Sequence, residues 1–423
     1  MDFNDTSKEA DFRAKVRKFL DDNCEKRSNN SDTVQGGSAG APESVKGGES
    51  AAKESLKKAK EFQIKKSESG FAAILWPKEF GGYEGSPIEQ VIYQQEEINY
   101  FVHSGYFEIG IGMLGPTMMV WGKDEHKKRY LPKMITGEEI WCQLFSEPSA
   151  GSDLGGIKMK AEKDGDEWVL NGQKVWTSGA HFSDYGMIIT RSDPTALKHK
   201  GLTYFFIDMK SPGIEVRPIK QISGTSNFNE VFFNDVRVPD SQRLGEEGEG
   251  WKVALTTLMN ERLAVGDPPG LDFDQIFEAT KQFEVEDGLA IKNSSVRQKM
   301  ADWYVQSRGL QYTKYRSMTA LSKGQTPGPE LAISKLVTAS KMQEVSSYAL
   351  DLLEMSGAIH NDKNPILKNL FQGGYFFAPA LRIAGGTDEV MRNIIAERVL
   401  GLPQDERADK KVPFNEIPSK KIK

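Results

Sequence analysis

Apolar positions change their period twice along this chain, and the two changes divide it. Residues 8–22 carry Phe12, Val16, Phe19 and Leu20 at helical spacing. Helical spacing predominates again from Leu56 to Gly137, broken at Trp76-Pro77 and at Gly81-Gly82. Within it, 90–101 and 126–134 predict helices, and Gly110 to Gly115 a small-residue stretch on a packed helix or turn. Between about Glu138 and Arg243 the period falls to two. Trp168-Val169-Leu170, then Asn171-Gly172, then Lys174-Val175-Trp176 predict a hairpin, because Asn-Gly supplies the positive φ angles of a type I′ turn. Further strands are expected at 187–190, 202–208, 214–218 and 230–238, with turns at Ser211-Pro212-Gly213 and Asn234-Asp235. After Gly245–Gly250 the helical period returns. Trp251, Leu255, Leu258 and Arg262 form one stripe, and 296–322, 329–357, 364–373 and 387–400 behave alike. Long antiparallel helices with short loops suggest a four-helix bundle.

The expected class is α+β: an N-terminal helical domain over 1–137, a compact β domain over 138–245, a helical bundle over 246–403 and an extended, charged tail over 404–423. Residues 27–55 are rich in Ser, Gly, Asn, Ala and Glu. Such a stretch buries too little apolar surface to offset its ordering entropy, and it is expected to be a mobile surface insertion.

Composition narrows the functional classes. The 423 residues are 38% hydrophobic and 27% charged, as in a globular protein with a large core. A net charge of −5, with acids interleaved among the bases, gives no reason to expect nucleic acid or an anionic membrane as partner. No apolar run approaches the roughly 18 residues that span a bilayer. The acidic start Met1-Asp2-Phe3-Asn4-Asp5 has neither a signal-peptide core nor a transit-peptide bias, so a cytoplasmic location is expected. Cys24 and Cys142 are expected as free thiols, and the five histidines show no metal-ligand spacing. No strand–GxGxxG–helix unit is present, which disfavours a nicotinamide cofactor held in the usual way.

Three segments could carry chemistry. Gln143-Leu144-Phe145-Ser146-Glu147-Pro148-Ser149-Ala150-Gly151-Ser152-Asp153 leads from strand-like residues into a loop of hydroxyls and free N–H groups, which alone is equally an ordinary polar turn. In Lys174-Val175-Trp176-Thr177-Ser178-Gly179 the Trp could be core, or its neighbouring hydroxyls could face a planar heterocycle. Ile383-Ala384-Gly385-Gly386-Thr387-Asp388-Glu389 places two glycines before a hydroxyl-capped helix, which is either an ordinary helix start or a close approach to a ligand.

Together and in this order the three segments resemble the acyl-CoA dehydrogenase family. The likeness runs from Trp76-Pro77-Lys78-Glu79-Phe80-Gly81-Gly82 to Arg392-Asn393-Ile394-Ile395-Ala396-Glu397-Arg398 and is weakest over 27–55. It implies a helical N-terminal domain, a β-barrel-like middle domain, a C-terminal four-helix bundle and bound FAD. By resemblance, Gln143, Phe145 and Ser146 flank the flavin, Trp176 and Ser178 contribute from the hairpin, Ser152 contacts the acyl-CoA, and Thr387 and Glu389 hold the adenosine half. The implied reaction removes a proton from Cα of a thioester and a hydride from Cβ, giving a trans-2-enoyl-CoA.

Two departures from the family pattern matter. Many members place the catalytic Glu directly before the Gly-Thr of the C-terminal motif, and here that position is Gly385. A subset carries it on the first long helix of the C-terminal domain, before an Arg. Asn260-Glu261-Arg262 fits that subset and assigns Glu261 as base, with Arg262 near the substrate and the Gly385 N–H supporting the thioester oxygen. An Arg-x-x-Phe-Gly pattern is also missing at Glu284-Val285-Glu286-Asp287-Gly288, leaving Arg297 as the substitute for partner-subunit FAD contacts. The expected assembly is a homo-oligomer, a dimer or homotetramer, with an electron-transfer flavoprotein as acceptor. The alternatives are a subunit of a heteromeric acyl-CoA dehydrogenase, as in a heterotetramer, and an oxygen-using acyl-CoA oxidase or flavin monooxygenase of the same fold.

Overall fold

The structure, a computed structural model, describes residues 5–26, 48–103, 105–264, 271, 273–286, 288–323, 328, 331–359 and 370–417. Helix α1 (Ser7–Asn23) starts at a capping box, in which the Thr6 hydroxyl accepts the Glu9 N–H and the Glu9 carboxylate accepts the Thr6 N–H. Its buried stripe is Phe12, Val16, Phe19 and Leu20, as the spacing predicts. Strand β1 (Glu25–Lys26) follows. Residues 27–47 of the low-complexity segment lie outside the described residues, whereas helix α2 (Gly48–Glu68) already begins within it.

A second capping box, Ser86 with Glu89, and Pro87 in the first turn set the start of α3 (Pro87–Glu97). The helix expected over 90–101 stops short. Asn99 donates its side-chain amide to the Gln95 and Glu96 carbonyls, and the chain then extends into β2 (Tyr100–Phe101), antiparallel to β1. Helices α4 (Gly115–Trp121) and α5 (Asp124–Thr136) precede the sheet.

Eight strands form the central sheet: β3 (Trp141–Leu144), β4 (Lys160–Asp164), β5 (Glu167–Ser178), β6 (Tyr185–Arg191), β7 (Leu202–Asp208), β8 (Ile214–Ile219), β9 (Phe228–Pro239) and β10 (Arg243–Leu244). Their order is β10-β7-β6-β4-β5-β9-β8, with β3 parallel to β6. Strand β7 is buried on both faces. Tyr204 and Phe206 enter a core with Met118, Trp141 and Val253, while Phe205 and Ile207 enter a second with Trp168, Val231 and Val238.

The predicted hairpin at Asn171-Gly172 is not there. Strand β5 runs straight through it for 12 residues, and the reversal lies at Asp164–Glu167 instead. Asn171 sits at a bulge opposite Asn234 and Asp235, the second dipeptide expected to turn. The two side chains close the gap, with Asn171 Nδ2 donating to Asp235 Oδ1 (2.9 Å) and the Asp235 N–H donating to Asn171 Oδ1 (3.0 Å). Positive φ at Gly172 (145°) and Asp235 (51°) is spent on matching bulges within two long strands rather than on two turns.

Helix α6 (Gly250–Ala264) also differs in detail from the expected stripe. Val253, Ala254 and Thr257 are its buried face, while Leu255 is 42% and Met259 65% exposed. Beyond it lie α7 (Phe273–Thr280), the strand pair β11 (Glu284–Val285) and β12 (Gly288–Leu289), and helices α8 (Ser294–Ser322), α9 (Leu331–Leu352), α10 (Glu354–Ala358), α11 (Gly373–Leu381) and α12 (Asp388–Ile394). Their core gathers Ile276, Trp303, Met342, Val345 and Phe371. Most of the helix expected over 364–373 lies outside the described residues. The helix expected over 387–400 is α12 followed by a π-helical turn, Ile395–Val399.

The chain forms two compact units, residues 1–38, 85–102 and 267–403 in one, and residues 39–84, 103–266 and 404–423 in the other. Cys24 and Cys142 form no disulfide. Among the described residues no helix is long and apolar enough to cross a membrane.

Candidate functional site

The sheet-bearing unit holds Gln143, Phe145, Ser146, Ser152, Trp176 and Ser178, together with helix α6. Gln143 is the third of the four residues of strand β3, paired opposite Met187 of β6, and after Leu144 the chain leaves the sheet as a loop. That loop is fastened to β5 from below. The Val175 N–H donates to the Ser146 carbonyl (2.8 Å), and Lys174 Nζ donates to the Phe145 carbonyl (2.9 Å) and to Glu147 Oε1 (2.9 Å). Lys174 has no exposed surface, and burial pushes its ammonium down to about 8. The Glu147 carboxylate also accepts the Lys158 N–H (2.6 Å) and the Met159 N–H (3.1 Å). Neither Lys174 nor Glu147 was singled out from the sequence. The available signal is a lysine at the period-two position that continues Trp168, Leu170 and Gly172.

A second bulge follows at once, where Val175 and Trp176 together oppose Glu230. Trp176 takes φ +61°, an uncommon backbone state for a bulky residue, and its indole is 59% exposed, set edge-on to Phe228 at 6.3 Å. Of the two readings left open for Trp176, core is thereby excluded. Strain and exposure together leave a large aromatic face open to solvent on this strand.

Several polar groups on the same strand and on the loop fastened to it are unspent. Gln143, Ser146 and Ser178 are half-buried and make no side-chain hydrogen bond among the described residues. The Thr177 hydroxyl is buried without a partner among them. An exposed apolar ring, with idle hydroxyls and an amide on the same strand and the loop fastened to it, suits a flat heterocycle with hydrogen-bonding edges such as a flavin.

Phe145 links this wall to α6. Its ring is edge-on to Tyr204 at 5.8 Å, and the Tyr204 hydroxyl lies 3.1 Å from Thr257 Oγ1, which in turn lies 2.9 Å from Thr117 Oγ1. Trp121 Nε1 donates to Thr256 Oγ1 (2.9 Å) on the same helix. The backbone of α6 includes positions 261 and 262, but the side chains of Glu261 and Arg262 lie outside the described residues.

Gly385, Thr387, Glu389 and Arg297 belong to the other unit. Gly385 and Gly386 turn through φ of 64° and 96°, and neither N–H bonds to a backbone carbonyl among the described residues. Lys335 Nζ donates to the Gly386 carbonyl (2.5 Å), while Arg382 Nε donates to Asp388 Oδ2 (2.6 Å) and Arg382 Nη1 to Gln343 (2.9 Å). The turn is therefore held from both sides. Thr387 caps α12 by accepting the Val390 N–H (3.2 Å). Glu389 is exposed, 3.8 Å from Arg392, and Arg297 is exposed in the first turn of α8.

Comparison with known proteins identifies the family. Residues 6–138, 142–236 and 248–400 match the family profiles described as the N-terminal, middle and C-terminal domains of acyl-CoA dehydrogenase. Acyl-CoA dehydrogenase IpdE1 of Mycobacterium tuberculosis is 34% identical over 347 residues, spanning 80% of this chain and 86% of its own. Acyl-CoA dehydrogenase FadE34 of the same organism is 35% identical over 346 residues and 81% of this chain, but the match spans only 46% of its own length, about half of that relative. Among solved structures, the Tcur3481-Tcur3483 steroid ACAD superposes with a TM-score of 0.76 at 25% identity, covering 96% of this chain and 100% of that one. The chain belongs to the acyl-CoA dehydrogenase family of flavin-dependent oxidoreductases.

Proposed function

We propose that this protein dehydrogenates an acyl-CoA thioester between Cα and Cβ, with Glu261 as the base. The observation that carries the proposal is the strained, exposed Trp176 beside unspent polar groups, coupled through Phe145, Tyr204 and Thr257 to the helix that bears position 261. Gln143, Phe145, Ser146, Trp176 and Ser178 would hold the flavin ring, and Thr387, Glu389 and Arg297 the adenosine half. Bound FAD supplies the acceptor for the β-hydride. Glu261 takes the α-proton, and the developing charge on the thioester oxygen is met by the Gly385 N–H. Gly385 itself has no carboxylate to offer, so the proton acceptor has to come from another element. Arg262 and Ser152 would orient the acyl-CoA.

Glu261→Gln in the purified protein is expected to keep its flavin absorbance and its binding of acyl-CoA while turnover falls by about 10²-fold or more. Near-normal turnover would remove Glu261 from the role.

The substrate we propose is a bulky or ring-bearing acyl-CoA, with an electron-transfer flavoprotein as acceptor. A base on α6 rather than at 385 reshapes the acyl pocket, and one relative is named a steroid ACAD and another a cyclohexane-1-carbonyl-CoA dehydrogenase. A panel of acyl-CoAs with an artificial acceptor tests this, and a strict preference for short straight chains would count against it. Assembly with an unlike subunit is a second reading, favoured by Gly385 and by a similar structure described as the ChsE4-ChsE5 complex. One FAD per subunit in a homotetramer would exclude it.

A further inference from the structure

The charged segment after Pro403 docks onto the sheet-bearing unit at a defined place. The Phe414 N–H donates to the Ala196 carbonyl (2.9 Å), the Asn415 N–H donates to the Pro194 carbonyl (2.9 Å), and Leu197 and Pro413 form an antiparallel bridge. Two side chains then reach through this contact. The Phe414 ring lies 3.7 Å from the Arg191 guanidinium, which is buried and donates to the carbonyls of Gly155 (2.7 Å), Ile157 (3.3 Å) and Lys198 (2.7 Å). Lys198 is buried too, and its ammonium bridges Asp153 (2.7 Å) and Asp409 (2.6 Å). Arg407 is a second partner of Asp409, at 2.8 Å.

Each buried cation thus has one arm on residues 407–414 and the other on residues 153–157, immediately after Ser152. That loop reads Ala150-Gly151-Ser152-Asp153-Leu154-Gly155-Gly156 and is exposed from Gly151 to Asp153. A Gly-rich exposed loop loses much conformational freedom on binding a ligand, unless other contacts have already ordered it.

We propose that residues 407–414 are a clasp that pre-orders the Ser152–Gly156 loop for coenzyme A thioesters, with Asp409 and Phe414 as positioning residues acting through Lys198 and Arg191. The inference rests on the reading of Ser152 as an acyl-CoA contact. Neither Asp409 nor Phe414 is assigned to the flavin or to the reacting atoms, so their loss separates ligand affinity from cofactor retention.

The test is calorimetric titration of the full-length, FAD-loaded protein with free coenzyme A, comparing the natural protein with Asp409→Asn, Phe414→Leu, Phe414→Tyr and Ser152→Ala. Asp409→Asn and Phe414→Leu are expected to weaken Kd by about 10-fold, the scale of one lost ordering contact. Flavin absorbance should change little in either variant; the thermal midpoint should change little in Phe414→Leu, while Asp409→Asn lowers it by the loss of the Lys198 and Arg407 pairs without releasing flavin. Phe414→Tyr keeps a ring over Arg191 and is expected to restore Kd. An unchanged Kd in Asp409→Asn and Phe414→Leu, with Ser152→Ala weakened, overturns the clasp alone. An unchanged Kd in Ser152→Ala overturns the underlying reading of the loop. Parallel loss of flavin, stability and Kd, without rescue by Phe414→Tyr, overturns the clasp in favour of a general structural role.

Discussion

Lys174 and Trp176 are two residues apart in one strand and follow opposite physical logic. Lys174 is fully enclosed, and its charge is tolerable only because Glu147 and the Phe145 carbonyl each lie 2.9 Å away. Lys174→Met leaves Glu147 buried without its cation, and denaturant unfolding is expected to show a loss of about 3–5 kcal/mol. A loss under about 1 kcal/mol would mean that water already reaches the pair. Trp176 is exposed and held at φ +61°, a state that costs a non-glycine residue about 1 kcal/mol or more. Trp176→Gly is therefore expected to leave the flavin-free protein as stable as before, or up to about 1 kcal/mol more stable, while flavin retention through gel filtration falls. A destabilised apo-protein with full flavin retention would show that the indole serves packing instead. The sequence pointed to Trp176 through the motif around it. It could not rank Lys174 or Thr257, because their importance comes from partners 27 residues away in chain for one and on another element for the other.

Elements were legible where period alone decides them, as at α1, β7 and α8, and misread where a local dipeptide was taken as decisive. Asn171-Gly172 and Asn234-Asp235 both have the chemistry of tight turns, yet each lies opposite the other in 12-residue strands that continue on both sides of the register shift. Cross-strand pairing over that length outweighs the turn preference, and the positive φ angles become bulges. The same geometry explains why Gly172 cannot be replaced without cost. At φ 145° it already occupies a state that side chains rarely adopt, and a Cβ there would lie 2.8 Å from Met159 Cγ. Gly172→Ala is expected to lower stability by about 1–3 kcal/mol, read by thermal unfolding, with the β5–β9 ladder as the part affected. A neutral outcome would mean that Met159 yields freely. In α6 the apolar stripe drawn through Leu255 was displaced by one position. Three small or hydroxyl-bearing residues, Ala254, Thr256 and Thr257, carry its contacts, and hydropathy gives them little weight.

At the scale of the whole molecule, the alternation of periods carries the α+β class and the three motif segments carry the family resemblance, while the tail expected from Gln404 onward docks through two buried cations. Polar and proline-rich segments conceal such contacts, because their stability comes from specific charge pairs rather than from apolar area. Those charge pairs make the acid response predictable. Arg407 and Lys198 hold the Asp409 carboxyl well below its ordinary range, and Arg243 and Trp168 hold Asp240 at about 2. In the other unit burial alone would raise the Glu96 carboxyl, but Arg17 and Arg13 outweigh it and leave it lowered. A carboxyl depressed in the folded state stabilises fully above its unfolded value near 4, and that contribution disappears as pH falls through the folded value. Asp240 therefore gives up its contribution from about pH 4 down to about 2, Asp409 and Glu96 give up theirs as pH falls below their unfolded values, and thermal midpoints are expected to be flat from pH 7 to about 5 and to drop below 4. Asp240→Asn should lower the midpoint at pH 7 and reduce the drop between pH 4 and 2, since the substituted side chain has no proton to take up there. An identical acid slope in that variant would show that Asp240 is ordinary in the folded protein and that the acid sensitivity lies with other carboxylates.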